Sequence, residues 1–363
     1  MKRILFITAF NPSKSDAGSN YTRQLLMELG KFSYVDLIVF KYAEQKLYEP
    51  QNNIRIVESI DISKVSKICG LLSLPTIFPL FSSRFSCAIA KRVNHYIHHN
   101  SYDTIYFDFS QTFAYSLFVS HPRKLFMAHD VIKQRYDRRN KLLAWWVAKS
   151  ECRLLKTANK IFTFSDKDCY LIRDLYSLDS ESTSFFIQKE AEEAVPDSIS
   201  DYYIFYGNWN RADNYEALGW FLDNVYSELD DKFMCRIIGM RLPEEYKERI
   251  AHLKNVEYIG FVDNPYPILA NAKALISPLH SGAGVKVKVI EALACGTPVI
   301  GTDISFEGID EKYQKFMIRA NAPVEFRTEI KRIHFSVEER RAYKQMFIES
   351  YINKPILKYL SDI

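Results

Sequence analysis

The sequence is poor in the features that build small or membrane-bound folds. Six cysteines, at 69, 87, 152, 169, 235 and 295, are spread so widely that no pair has the spacing of a zinc or redox motif. Reduced thiols in a cytoplasmic protein are the expectation. No apolar run approaches the ~18 residues a membrane-spanning helix needs. The opening MKRILFITAF is basic and then apolar, as a signal peptide is, but it has no small-residue cleavage site and runs straight into a turn. It therefore reads as a first buried strand. Two familiar phosphate-binding signatures, GxGxxG and GxxxxGK[ST], are both missing. There is no internal repeat and no low-complexity tract. The basic excess is small, a net charge of +4, and no nucleic-acid module is recognisable, so nucleic acid is not an expected partner.

What is present is a soluble globular composition, with 47 % apolar and 25 % charged residues. A chain of 363 residues is too long for one ordinary core, and two domains are expected. The charge is uneven. Residues 1–197 carry 27 Lys+Arg against 21 Asp+Glu, or +6, and the remainder 21 against 23, or −2. A basic front half suits an acidic partner, and equally a solvated surface.

Short apolar runs alternate with longer mixed segments. In the front half they lie at 3–10, 35–41, 104–110, 124–130, 161–165 and 184–188, and in the back half at 202–208, 233–239, 256–262, 272–279 and 297–303. Strands alternating with helices imply parallel sheets covered on both faces. The fold class is therefore α/β, with two doubly wound Rossmann-like domains. The polar, acidic stretch 189–201, KEAEEAVPDSISD, reads as the linker between them. In such sheets ligands bind at the carboxyl ends of the strands, so the loops there carry the chemistry.

Four loops stand out. The first follows strand 3–10, where Gly18 and Ser19 precede a helix with Leu25, Leu26 and Leu29. Free backbone N–H groups at a helix start favour phosphate, although an ordinary turn with Ser19 or Asn20 as N-cap reads the same way. The second is SGAGVKVKVIEALACGTPVIGT, 281–302, which holds four of the twelve glycines. Gly282 and Gly284 allow close approach, and a helix is expected from Val285. Lys286 and Lys288 add positive charge, Val289 points inward, and Glu291 lies near the same edge. N–H groups and lysines suit a diphosphate and a carboxylate suits ribose hydroxyls. On spacing alone, an exposed Lys288–Glu291 ion pair fits equally well. The third is His129, before Asp130 at the end of strand 124–130, placed to donate a hydrogen bond or relay a proton. The fourth is YGNWNRADN, 206–214, with Gly207, Asn208, Asn210 and Arg211. Phe261 and Val262 after VEYIG, and Gly239 after FMCRII, are further strand-end residues that could meet a base or a phosphate.

SPLHSGAGVKVKVIEALACGTPVIGTDISFEGI, with YGNWNRADNYEALGWF and GFVDNPYPILANAKALISPL before it, resembles the donor signature of GT-B glycosyltransferases and, within them, glycosyltransferase family 4. The front half is looser but consistent, with Gly18, AHD at 128–130 and ECRLLKTANKIFTFSDKD at 151–168. The resemblance implies two domains facing across a cleft: an acceptor domain over 1–190, a nucleotide-sugar domain over 201–345, and a helix in 346–363 crossing back to the first. It implies a retaining transfer without metal or other cofactor, from a nucleotide-diphosphate sugar to a glycan or lipid-linked acceptor. Glu291 would hold the ribose, and Lys286, Lys288 and the backbone at Gly284 the diphosphate. Phe261 and Val262 would hold the base. Gly18 would approach the diphosphate, and His129 would face the reacting sugar. One position departs from the family. Many members carry a second glutamate eight positions before the first, touching the sugar, and here that position is Ala283. Two other readings stay open on this fold: a non-catalytic partner subunit and a nucleotide-sugar epimerase.

Two front-half stretches bear on the acceptor. ICGLLSLPTIFPLFSSRF, 68–85, is apolar, and DRRNKLLAWWVAK, 137–149, sets Arg138, Arg139, Lys141 and Lys149 beside Leu142, Leu143, Trp145 and Trp146. Basic residues with tryptophan suit the anionic inner face of a plasma membrane, and equally a buried helix with a basic edge.

Overall fold

Thirteen strands, every paired one parallel to its neighbours, make two sheets in a computed structural model that describes residues 1–14, 16–137, 140–229, 232–351 and 354–362. Arg138 and Arg139 lie outside the described residues. The first sheet is built from β1 (Lys2–Thr8), β2 (Ser33–Lys41), β3 (Ile54–Asp61), β4 (Thr104–Asp108), β5 (Lys124–Met127), β6 (Lys160–Thr163) and β7 (Glu181–Ser182), in the order β3-β2-β1-β4-β5-β6-β7. The second holds β8 (Tyr202–Tyr206), β9 (Met234–Ile238), β10 (Val256–Gly260), β11 (Leu275–Ser277), β12 (Val299–Gly301) and β13 (Met317–Arg319), in the order β10-β9-β8-β11-β12-β13. Both orders reverse direction once, between β1 and β4 and between β8 and β11. Those reversals are where a doubly wound sheet opens a crevice for a ligand.

The strands read as continuous apolar runs because both faces of each sheet are covered. Ile4 to Ile7 of β1 are all buried, as are Ile105, Phe107 and Phe126 around them. Two compact units result: Met1–Phe185 with Asn353–Ile363, and Phe186–Ile352. The helix Pro355–Ser361 buries Ile356 and Leu360, and Tyr359 lies 5.8 Å, ring to ring, from Phe162 of β6. The helix Val337–Ser350 runs through the expected boundary at 345/346 and lies in the second unit.

Three expectations need correction. The stretch 184–188 is not a strand. The seventh strand is the two-residue β7 before it, and Phe185 instead stacks on Phe164 at 3.8 Å. β3 and β13 were not expected at all. Residues 189–201 are not a loose linker: Lys189–Glu193 is helical and Ala191 is fully buried. Its carbonyl accepts from Lys344 Nζ at 2.8 Å, and Arg341 Nε donates to Pro196 O at 3.0 Å. Polar composition hid a docked segment, because long basic side chains reach over to satisfy its backbone.

The same helix Val337–Ser350 braces the candidate site from behind. Buried Arg340 donates to the carbonyls of Ala272, at 2.7 Å, and Lys273, and Lys344 donates to Ala294 O at 2.9 Å. These cations cap the carboxyl ends of the helices Tyr266–Asn271 and Val287–Ala294, where the helix dipole favours positive charge. The second of those helices begins at the glycine-rich loop.

Candidate functional site

Within the second unit the two informative loops meet at the sheet's reversal point. YGNWNRADN leaves the end of β8, and SPLHSGAG leaves the end of β11. The helix expected from Val285 starts two residues later, at Val287, with Lys286 as its N-cap residue. The first turn therefore brings Lys286, Val287 and Lys288 to the helix start, where backbone N–H groups and dipole favour an anion.

The cations gather there. Lys288 Nζ donates to Asn214 Oδ1 at 2.9 Å, and Asn214 Nδ2 donates to Asn208 O at 2.8 Å. Arg211 pairs with Asp213 at 2.7 Å. Lys286 donates to Gly284 O and lies 3.8 Å from Glu307. Burial pushes the Lys288 ammonium down to about 7. Arg211 adds to this by repulsion, Asp213 opposes it and Lys286 repels it further. Three cations held together against their mutual repulsion, at a helix start, form a site preorganised for an anion. Gly239 has a backbone reason of its own: at φ +132, a Cβ there would lie 1.8 Å from Gly207 O. It lets the ends of β8 and β9 close together, so Gly207 and Asn208 are held in place.

Glu291 is not an exposed partner of Lys288. Its Oε1 accepts from Tyr266 OH at 2.9 Å, and Tyr206 also donates to the carboxylate. Burial pushes Glu291 up to about 7 although both hydroxyls favour the charged form. A part-buried carboxylate held by two phenols is an acceptor aimed at a specific donor. Val289 is fully buried, Val262 and Val285 pack partly buried against the same core, and Phe261 stands exposed beyond β10.

In the first unit the reversal point gathers a second set. Asp108, the last residue of β4, is fully buried. Its Oδ2 accepts from Thr8 Oγ1 at 2.9 Å and Thr22 Oγ1 at 2.6 Å, and its Oδ1 faces His129 Nε2 at 2.8 Å. Phe109 stacks on the imidazole at 3.7 Å and holds φ +65, a left-handed conformation costly for a bulky residue. Gly18 is needed beside them, since a Cβ there would meet Phe109 Cε1 at 2.9 Å and His129 Nδ1 at 3.4 Å. Ser19 is buried, and its N–H donates to Asp16 Oδ1 at 3.0 Å. The N-cap is thus Asp16, neither Ser19 nor Asn20, and the helix Ala17–Leu29 starts before Gly18.

Sequence reasoning missed Asp108, Asp213, Asn214, Tyr206 and Tyr266. Asp108 left a signal, since a carboxylate inside the apolar run TIYFDFS needs hydrogen-bond partners when buried. Tyr206 ends its strand next to Gly207, the position where site residues collect. Tyr266 left none, because it reaches Glu291 across 25 residues of chain.

Residues 200–334, most of the second unit, match the family described as Glycosyl transferases group 1. No curated protein sequence matches the chain. Among solved structures, Anabaena HepE in complex with UDP is similar at 13 % identity with a TM-score of 0.69, covering 100 % of both chains. Sucrose-phosphate synthase from Thermosynechococcus elongatus is similar at 15 % identity and 0.67, covering 98 % of this chain and 96 % of that one. WaaG, a glycosyltransferase involved in lipopolysaccharide biosynthesis, is similar at 12 % and 0.66, covering 99 % and 98 %. The chain therefore has the GT-B fold, and residues 200–334 of its second unit are similar to the group 1 glycosyl transferases.

Proposed function

We propose that the protein transfers a hexosyl group from a nucleotide-diphosphate sugar, with retention and without a metal, to a lipid-linked or growing glycan. The observation that carries this reading is the cluster of Arg211, Lys286 and Lys288 at the start of the helix Val287–Ala294. Breaking a sugar–phosphate bond puts negative charge on the departing diphosphate. Fixed cations and N–H groups stabilise that charge, which is the support for a metal-independent reaction. Glu291 between Tyr206 and Tyr266 takes the ribose hydroxyls, with Phe261 and Val262 on the base. The first unit takes the acceptor, with His129 at its binding edge. UDP bound to HepE, a structural neighbour, favours a nucleoside diphosphate as ligand. The test is thermal shift with UDP, GDP, ADP and dTDP, followed by diphosphate release from the matching sugar nucleotides. One diphosphate is expected to raise the melting temperature in proportion to ln(1 + [L]/Kd). A chain stabilised by none of the four would overturn the donor reading, and an epimerised sugar would replace transfer by isomerisation.

A lipid-linked acceptor and contact with an anionic membrane are supported by two exposed helices of the first unit. Lys64–Ser73 turns Val65, Ile68, Cys69 and Leu72 outward, with Leu72 76 % exposed, at the i, i+3, i+4, i+7 spacing of one apolar stripe. Lys141–Leu155 exposes Leu142, 84 %, and Trp145, while Trp146 packs on Phe78 at 5.2 Å. The stretch 68–85 is thus divided, with Ile77, Phe78, Phe81 and Phe85 in the core and Ile68 and Leu72 outside. Lys149, Arg153 and Lys156 line a depression of about 540 Å³ with Trp145 and Leu175, well apart in sequence from the donor loops and suited to a phosphate headgroup. Among the described residues no helix is long and apolar enough to cross a membrane. The expected result is flotation with vesicles rich in anionic lipid at low salt, reduced in V65S/I68S/L72S and abolished at high salt. Absence of binding at low salt would count against it.

A further inference from the structure

A hexose held beside a diphosphate presents hydroxyls that need acceptors, yet the loop Ser281–Gly284 offers glycine, alanine and glycine after its one serine. We propose that Asp213 supplies the missing carboxylate and contacts the donor sugar. This rests on the reading that the second unit binds a nucleotide sugar.

Asp213 reaches the loop from the opposite side of the reversal point. It lies in the first turn of the helix Ala212–Asn224, after β8, whereas the loop follows β11. A Cβ built on Gly282 would sit 3.5 Å from Asp213 Oδ2 and 3.5 Å from Lys286 Cε. The carboxylate and the lysine therefore flank one glycine, and at φ +116 a side chain at Gly282 would be strained and would touch both. Of the two carboxylates near the loop, Asp213 is the reachable one. Its side chain is 26 % exposed, against 12 % for Glu307, which stands beside Lys286. Burial works to raise the Asp213 carboxyl, but Arg211 and Lys288 outweigh it and hold the group below the usual carboxylate range. Asp213 is therefore an ionised acceptor throughout the neutral range.

A carboxylate inside a phosphate site repels the phosphate, so its presence there has to be compensated. A first-turn aspartate ordinarily serves the helix dipole, and Asp213 also orders Arg211. Either role alone would make it act equally on a nucleoside diphosphate and on its sugar conjugate. A hydrogen bond to a sugar hydroxyl separates the two, since only the conjugate gains it.

The experiment compares Kd values for UDP, GDP, ADP and dTDP with those of their glucose conjugates, in wild type, Asp213→Asn and Glu307→Gln, using the base that binds tightest. In Asp213→Asn the diphosphate is expected to bind as well as before or better, while the conjugate loses about 10- to 100-fold relative to it, the worth of one hydrogen bond to a charged group. Asp213→Ser replaces Asp213→Asn if the melting temperature shows the latter unfolded. An unchanged ratio in the Asp213 variant, or a loss confined to Glu307→Gln, overturns this proposal alone. Failure of wild type to bind any of the four diphosphates overturns the donor reading and this proposal with it.

Discussion

Lys288→Met is expected to lower turnover by ~10²–10³ while the chain stays folded, with a melting temperature at pH 7 equal to or above that of wild type. The reasoning joins burial to charge. Lys288 is held by the amide oxygen of Asn214, with Arg211 and Lys286 repelling it and Asp213 as the opposing charge. An ammonium in that position costs folding free energy, and a methionine of similar length removes the cost. The loss of function follows because the departing diphosphate loses a fixed cation. Lys286→Ala is expected to cost less, since Glu307 stands 3.8 Å from Lys286 and already offsets part of its charge. Wild-type rates in both variants would sink the assignment of the diphosphate to this loop. The pH dependence has a definite sign. Lys288 titrates at about 7 in the folded chain against an ordinary 10.5, so between those values the unfolded chain binds more protons and stability rises with pH. That rise is expected to be absent in Lys288→Met. An anion bound beside Lys288 raises its pKa, so binding of the diphosphate at pH 8 takes up a proton. Calorimetry in buffers of different ionisation enthalpy reads that uptake directly.

The strands that were legible in the sequence are those buried on both faces, whose residues form unbroken apolar runs such as ILFI in β1 and IYF in β4. β3 escaped because it is an edge strand, and IRIVESID mixes charges into its pattern. β13 escaped because three residues carry no periodicity. The glycine-rich loop and its two lysines were legible as a candidate because their features are local: small residues, a helix start and positive charge close in sequence. What spacing left open, whether Lys288 and Glu291 form an exposed ion pair, was decided by contacts from afar. Asn214 reaches Lys288 across 74 residues and Tyr266 reaches Glu291 across 25. No short window of sequence contains such pairs, and the buried surroundings that shift both groups toward 7 are equally non-local. The front-half site was half legible. His129 announced itself at the end of its strand, whereas the carboxylate that orients it sits 21 residues earlier inside a run that otherwise reads as core.

Asp108→Asn is expected to reduce turnover by ~10² or more with the fold intact and the thermal shift given by nucleoside diphosphate unchanged. A carboxylate can only accept, so Asp108 Oδ1 fixes the proton of His129 on Nε2 and leaves Nδ1, beside Gly18, as the ring's acceptor. In the asparagine variant the side-chain oxygen keeps the hydrogen bonds from Thr8 and Thr22, which holds the buried site together. Its amide nitrogen then faces Nε2 and donates to it, so the imidazole proton moves to Nδ1. The ring stays in place under Phe109 while the atom it presents changes from acceptor to donor. Where such an exchange traps the wrong tautomer, the loss reaches ~10⁴. On the proposed reading the cations that hold the diphosphate, Arg211, Lys286 and Lys288, belong to the second unit and Asp108 to the first, so its binding is expected to be unchanged. His129→Ala is expected to lose as much as Asp108→Asn, and the double variant no more than either, because the two residues act as one device. Additive losses in the double variant would mean that Asp108 acts on packing alone, through Thr8 and Thr22, and that the orientation of His129 is not what the reaction uses.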